Sequence, residues 1–119
     1  MSLPLLIKGL HEIANDYNAI LCDVWGVLHN GHDPFAGADR ALAQFREADG
    51  KVLLLSNAPR PGTTVVARLD EIGVSREAYD DILTSGDVAR ALLADRGLQS
   101  QTCHHIGPAK DADLLAGID

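Results

Sequence analysis

A parallel α/β sheet with helices on both faces is the fold this sequence predicts, and three observations predict it. Short apolar runs at Ala19-Ile20-Leu21-Cys22, Lys51 to Leu55 and Asp81 to Thr84 have the continuous hydrophobicity of strands buried on both sides. Segments with apolar residues at helical spacing lie between them. Strand and helix therefore alternate, the pattern of βαβ units whose crossover helices cover the sheet.

Each element has its own local reason. Leu3, Leu6, Ile7, Leu10 and Ile13 recur at helical spacing, with Ser2 as N-cap and Asn15-Asp16 at the far end, which predicts a first helix. The strand from Ala19 ends beside Asp23, and a polar, Gly-containing stretch from Gly26 to Asp33 follows. Gly37 to Asp49 brings Ala41, Leu42, Phe45 and Ala48 onto one face of a helix that stops at Asp49-Gly50. After the second strand, Pro61 suits the first helical position of a helix striped by Val65, Val66, Leu69 and Ile72 and ended by Gly73. Ser85 can cap a fourth helix containing Val88, Leu92 and Leu93 and closing near Gly97, and Thr102 to Ile106 reads as a further strand. A sheet this small is expected to be incomplete, with an edge strand exposed or paired to another chain, so a homo-oligomer is an expectation.

Composition removes several classes of function. The 119 residues are 46% apolar, the size and make-up of a single core. Ten Lys plus Arg against seventeen Asp plus Glu give a net charge of −7, which repels polyanions, and no run of basic residues offsets it. Nucleic acid and anionic membrane are therefore not expected partners. The longest aliphatic runs are four residues, as in Val52 to Leu55, against about 20 for a membrane span. Lys8, His11, Glu12 and Asp16 interrupt any secretory leader, so a cytoplasmic location is expected. Cys22 and Cys103 are too few for a disulfide framework and are expected to be reduced.

In open parallel sheets ligands bind at the carboxyl ends of the strands. The residues there are Asp23, Ser56-Asn57 and Ser85. An acid, a hydroxyl and an amide beside Gly26 compose an anion site with a nucleophile; Asp23 and Ser56 equally suit chain capping and turning, and spacing alone does not separate the two.

Asp23-Val24-Trp25-Gly26-Val27 resembles the first motif of the haloacid dehalogenase superfamily, and specifically of its class IIA phosphatases. His29-Asn30-Gly31, Pro34, Gly37-Ala38, Ala41-Leu42 and Gly50-Lys51-Val52 resemble the class IIA segment between motifs, and Leu55-Ser56-Asn57-Ala58-Pro59-Arg60 resembles the second motif. Ile82-Leu83-Thr84-Ser85 is similar to the strand that precedes the class IIA cap. The resemblance implies a Rossmann-like core, with residues 1–84 its N-terminal half and residues 85–119 the start of a cap domain. It implies Asp23 as the nucleophile that becomes an aspartyl-phosphate, and Mg²⁺ held by Asp23 and the backbone carbonyl of Trp25. Gly26, Ser56 and Asn57 would bind the phosphate of a small phosphorylated metabolite. The chemistry is coherent: a carboxylate is a competent nucleophile, and a cation offsets its repulsion from phosphate.

Trp25 departs from that pattern, because the family's phosphatases carry there an aspartate that protonates the leaving alkoxide and later activates water. Losing a positioned acid/base costs about 10²–10⁴ in rate, most for alkyl leaving groups and less for acyl or aryl ones. The same position is aromatic in haloacid dehalogenases, which keeps a carbon–halogen reading open beside a third, a phosphate-binding or regulatory relative. No residue matches the family's later lysine and acidic motifs, Lys110 included, so this chain alone is expected to be hydrolytically weak or inactive. Trp25 is expected to line the site, two residues beyond Asp23 on the same face. His29, His32 and Asp33 read as solvated loop, His104-His105 as a pair alternating across a strand, and Cys22 as a packing thiol.

Overall fold

A computed structural model describes residues 3–98 and 100–118. Three parallel strands, β1 (Ala19–Asp23), β2 (Lys51–Ser56) and β3 (Asp81–Thr84), lie side by side in chain order. Cys22 pairs with Leu54, Asp23 with Leu55 and Ser56 with Thr84, so the strands end together. Helices α1 (Ala38–Glu47) and α2 (Gly62–Ile72) form the two crossovers, and α3 (Ser85–Asp95) follows β3.

Both crossovers step the same way across the sheet, and right-handed connections then place α1 and α2 on one face. The core forms there, from Cys22, Val52 and Leu54 of the sheet, Leu42 and Phe45 of α1, and Leu69 and Ile72 of α2. The opposite face carries Leu21, 67% exposed, and Leu83, 42% exposed, and is flanked by α3, whose Val88 shares a cleft with both. Helices thus stand on both faces, as the alternation predicts, but the two faces are unequally covered.

The helix ends show what the glycines do. Gly73, at φ 95°, closes α2 with a Schellman motif: its N–H reaches the Asp70 carbonyl while the Val74 N–H reaches that of Leu69. Leu69 and Val74 are both buried in the core. At the end of α1 it is Asp49 that turns left-handed, at φ 65°, and Gly50 is required for space, since a Cβ there would run into the Phe45 ring and carbonyl. Ala48 is exposed, outside the stripe expected for it. Pro61 precedes α2 as its N-cap, and Thr84, not Ser85, caps α3.

Two expected elements do not form. Leu3 to Ile13 is not an α-helix: only short 3₁₀ turns occur, at Leu10–Glu12 and Ala14–Asp16, and Ser2 lies outside the described residues. Helical spacing is insufficient where the stripe has nothing to pack on. Leu10 and Ala14 reach the core, but Leu3 and Leu6 remain 93% and 92% exposed, and Gly9 is extended. Thr102 to Ile106 is not a strand either; it pairs with none of the described residues, so His104 and His105 do not alternate across a sheet. A 3₁₀ run follows at Ala109–Leu115.

Candidate active site

The site is built on the two loops that leave β1 and β2. One carboxylate oxygen of Asp23, Oδ1, accepts the Val24 N–H at 2.7 Å, and Oδ2 has no partner among the described residues. The Val24 carbonyl then accepts the N–H groups of Val27 and Leu28 at 3.3 and 2.9 Å, a tight turn that buries Val24 and Leu28. Trp25 is thereby carried outward and stays 60% exposed. Gly26 adopts φ 80°, which an L side chain disfavours, although nothing lies within 4 Å of where its Cβ would sit. Its N–H donates to the His29 carbonyl at 2.9 Å and closes the loop, so the backbone amide of Gly26, a residue the resemblance assigns to phosphate binding, is already engaged.

Trp25 and His29 stack, with ring centroids 5.6 Å apart and planes 19° from parallel. Nδ1 of His29 accepts the Gly31 N–H at 2.8 Å, so the neutral ring carries its proton on Nε2. Burial, and then the charge of Arg68, push the His29 pKa below its ordinary value, which keeps the ring neutral at pH 7. Arg68 also donates from Nη2 to the Gly31 carbonyl at 2.9 Å. The Asn30 side-chain oxygen accepts the N–H groups of His32 and Asp33 at 2.9 and 2.8 Å, which accounts for these residues as loop. Among the described residues no three His, Cys, Asp or Glu side chains gather to hold a metal.

On the second loop, Ser56 Oγ accepts the Ala58 N–H at 3.2 Å, which leaves its hydroxyl proton to give, and Asn57 is exposed beside it. The loop is fixed from behind by α3. Thr84 accepts the Asp87 N–H at 3.0 Å and donates its hydroxyl to the Arg60 carbonyl at 2.6 Å, while Asp87 accepts the Gly62 N–H at 3.0 Å. Burial alone would raise the Asp87 carboxyl; the hydrogen bonds from Gly62 and Thr84 and the charge of Arg90 outweigh it and hold the group below its ordinary value. The Arg60 guanidinium in turn meets the Lys110 carbonyl and Asp111, and Thr64 donates to Asp113 at 2.6 Å.

Two adjoining clefts result, sharing Ser56 and Asn57. The first, about 590 Å³, holds Asp23 and Ser85 at the strand ends with Leu21 and Leu83 as its apolar wall. The second, about 440 Å³, is lined by Trp25, His29, Arg60, Arg68 and Lys110. Asp23, Ser56, Asn57 and Ser85 are thus brought together, with Trp25 and Gly26 in the loop beside them. Arg60 and Arg68 are near one another in sequence and Lys110 is not; the fold sets all three, with Asp111, on one cleft. Asp87 was missed by sequence reading although Thr84-x-x-Asp87 carries capping-box spacing. Cys22 is a buried thiol whose pKa is raised by burial and by Asp23, which fits packing and not nucleophilic chemistry.

The donor set of the first loop suits Mg²⁺. Asp23 Oδ2 is free, and no N–H or O–H of the described residues donates to the Trp25 carbonyl, so two hard oxygens stand ready in the first loop. That suits an ion that keeps several waters and commonly takes one or two carboxylates plus substrate phosphate.

Residues 20–119 match the family model for haloacid dehalogenase-like hydrolases. This chain belongs to that family. The class IIA, N-terminal reading of its motifs is consistent with the match. A hydrolase of the haloacid dehalogenase-like family from Brucella suis is 40% identical and superposes with a TM-score of 0.85, over 94% of this chain and 40% of that one. The glycerol phosphate phosphatase of Mycobacterium tuberculosis, solved in complex with calcium, is 26% identical with a TM-score of 0.57, over 89% of this chain and 30% of its own. A 4-nitrophenylphosphatase from Thermotoga maritima, 14% identical with a TM-score of 0.63 over 89% of this chain and 40% of its own, shares the fold. Among curated proteins, the D-glycerol 3-phosphate phosphatase of Mycobacterium tuberculosis is 33% identical over 85 residues, 71% of this chain and 23% of that protein. The chain thus spans two-fifths or less of the length of each of these relatives.

Proposed function

We propose that this chain carries the nucleophile half of a Mg²⁺-dependent phosphatase acting on a small phosphorylated metabolite. One observation supports this most: the free Oδ2 of Asp23 and the free hydroxyl proton of Ser56 meet in a single cleft at adjacent strand ends. The names of the Mycobacterium tuberculosis relatives point to the same class of substrate. Residues 1–84 are the N-terminal half of the core in this reading, and residues 85–119 open a cap domain.

The Asp23 carboxylate attacks phosphorus, an O–P bond forms, and the ester oxygen leaves with its electron pair; water then cleaves the acyl phosphate. Ser56 donates its hydroxyl to a phosphate oxygen and Asn57 offers its amide. Gly26 holds the loop in its left-handed turn. Asp23 and the Trp25 carbonyl would hold Mg²⁺, which supplies positive charge against the phosphate's own. No side chain at position 25 can give or take a proton, so the reaction relies on the quality of the leaving group.

The test is mass spectrometry after exposure to acetyl phosphate with Mg²⁺. A gain of one phosphoryl group, absent in Asp23→Asn and without metal, is the expected result. A chain that takes up none, with Asp23 intact and metal present, removes the reading. The exposed aromatic Trp25 favours a second, dehalogenase-type reading, in which Asp23 is instead alkylated by a haloacid with no metal present.

A further inference from the structure

The second cleft raises a question the phosphatase reading leaves open: what the substrate carries on the far side of its phosphate. Trp25 is the only tryptophan of the chain, and the fold keeps it 60% exposed although its neighbours Val24 and Leu28 are buried. The ring is not loose. One side is taken by the His29 stack, and its Cη2 lies 3.2 Å from where a Gly31 Cβ would sit. His29 is itself tied to the Gly31 N–H, and Arg68 to the Gly31 carbonyl. A ring fixed in this way loses little freedom when a ligand arrives.

We infer that this cleft is an aromatic slot, in which Trp25 stacks on a planar ring borne by the leaving group of a phosphate monoester. The inference rests on the phosphatase reading and names the substrate class for that same site: an aryl phosphate. Two independent observations converge on it. The first is spatial. The slot is about 440 Å³, within the range of small-molecule pockets, and it shares Ser56 and Asn57 with the cleft of Asp23, so one molecule can place its phosphate at the strand ends and its ring against Trp25. Arg68 and Lys110 share the lining with Asp111, and Arg68 is already paired with Glu71 at 2.9 Å, so the Trp25 ring and not charge is the recognition element of the slot.

The second observation is chemical. When the Asp23 oxygen bonds to phosphorus and the ester P–O bond breaks, the electron pair departs on the leaving oxygen. With tryptophan at position 25, no acid there protonates it. A phenolic oxygen, with a pKa of about 10 as in tyrosine, leaves as the phenolate and takes its proton from water afterwards. An alkoxide is far more basic and does not leave readily that way. The replacement that removes the acid therefore also supplies the stacking partner for the leaving group that does not need one.

Calorimetry on the 119-residue chain with Mg²⁺ tests this, using phenyl phosphate, glycerol phosphate, inorganic phosphate and phenol. Phenyl phosphate is expected to bind about three- to tenfold more tightly than glycerol phosphate, the increment of one aromatic stack. The preference should vanish in Trp25→Ala and persist in Trp25→Phe, with the fold of both variants checked by circular dichroism. Equal binding of the two esters, or a preference that survives Trp25→Ala, overturns the slot and leaves the phosphate site standing. Phenol binding as well as phenyl phosphate, with Ser56→Ala without effect and inorganic phosphate unbound, keeps the slot but removes the phosphatase reading. Failure of all four ligands to bind overturns both.

Discussion

Nε of Arg60 lies 3.1 Å from Oδ1 of Asp111, and this ion pair fastens the loop after β2 to the 3₁₀ run near the end of the chain. The pair is partly shielded, with side-chain exposures of 27% for Arg60 and 9% for Asp111. When Asp111 is removed, Arg60 keeps the Lys110 carbonyl and partial access to water. Asp111→Ala is therefore expected to cost about 0.2–1 kcal/mol in urea unfolding, the range of a partly exposed ion pair. A double-mutant cycle with Arg60→Ala should show coupling; strictly additive effects would mean that the pair does not hold the two segments together.

Gly31 carries the Trp25 ring. At φ 101°, and with Cη2 of Trp25 3.2 Å from the Cβ position, Gly31→Ala meets backbone strain and a displaced ring together. The left-handed geometry alone costs about 1–2 kcal/mol. Because Trp25 is the chain's one tryptophan, its fluorescence reports the change directly. A shifted emission maximum with far-ultraviolet dichroism unchanged is expected, and an identical spectrum would show that the ring does not rest on this loop.

Acid should loosen the junction of α2 and α3. The folded Asp87 carboxyl titrates below its unfolded value of about 3.9, so the unfolded chain takes up the proton first on acidification. Its contribution is complete above about pH 4 and is lost as the pH falls through the folded value. Asp80 and Asp70 are lowered as well, Asp80 chiefly by the Val52 N–H and Asp70 by Arg76, so they add in the same direction. Thermal melts of wild type and Asp87→Asn between pH 7 and pH 3 should converge at the acid end. Parallel curves would show that Asp87 takes no part.

The two thiols should separate kinetically. Cys22 is buried in the core with its pKa raised, whereas Cys103 is exposed. A thiol reagent at neutral pH is expected to modify Cys103 quickly and Cys22 only as the core opens. Two equal fast phases would contradict the packing of β1.

The strands and the residues at their carboxyl ends were legible in the sequence because both are local properties. Ala19–Cys22, Lys51–Leu55 and Asp81–Thr84 announce themselves as apolar runs, and a residue at a strand end keeps that place whatever surrounds it. Asp23, Ser56 and Asn57 could be named from these rules together with motif resemblance. Leu3 to Ile13 shows the limit: its spacing is helical, yet whether a stripe becomes a helix depends on a surface to bury it, and that surface is nonlocal.

What only the tertiary structure decided follows from the same distinction. The handedness of two crossovers put α1 and α2 on one face and left Leu21 and Leu83 open on the other. The gathering of Arg60, Arg68 and Lys110 about one cleft, in a chain of net charge −7 with no basic run, belongs to the fold alone. So do the tie of Arg60 to Asp111 and the stack of His29 on Trp25. The sequence determines which groups stand at the strand ends, because strand and helix periods are short-range. Which groups face them across the cleft is set by long-range packing, which no local pattern encodes.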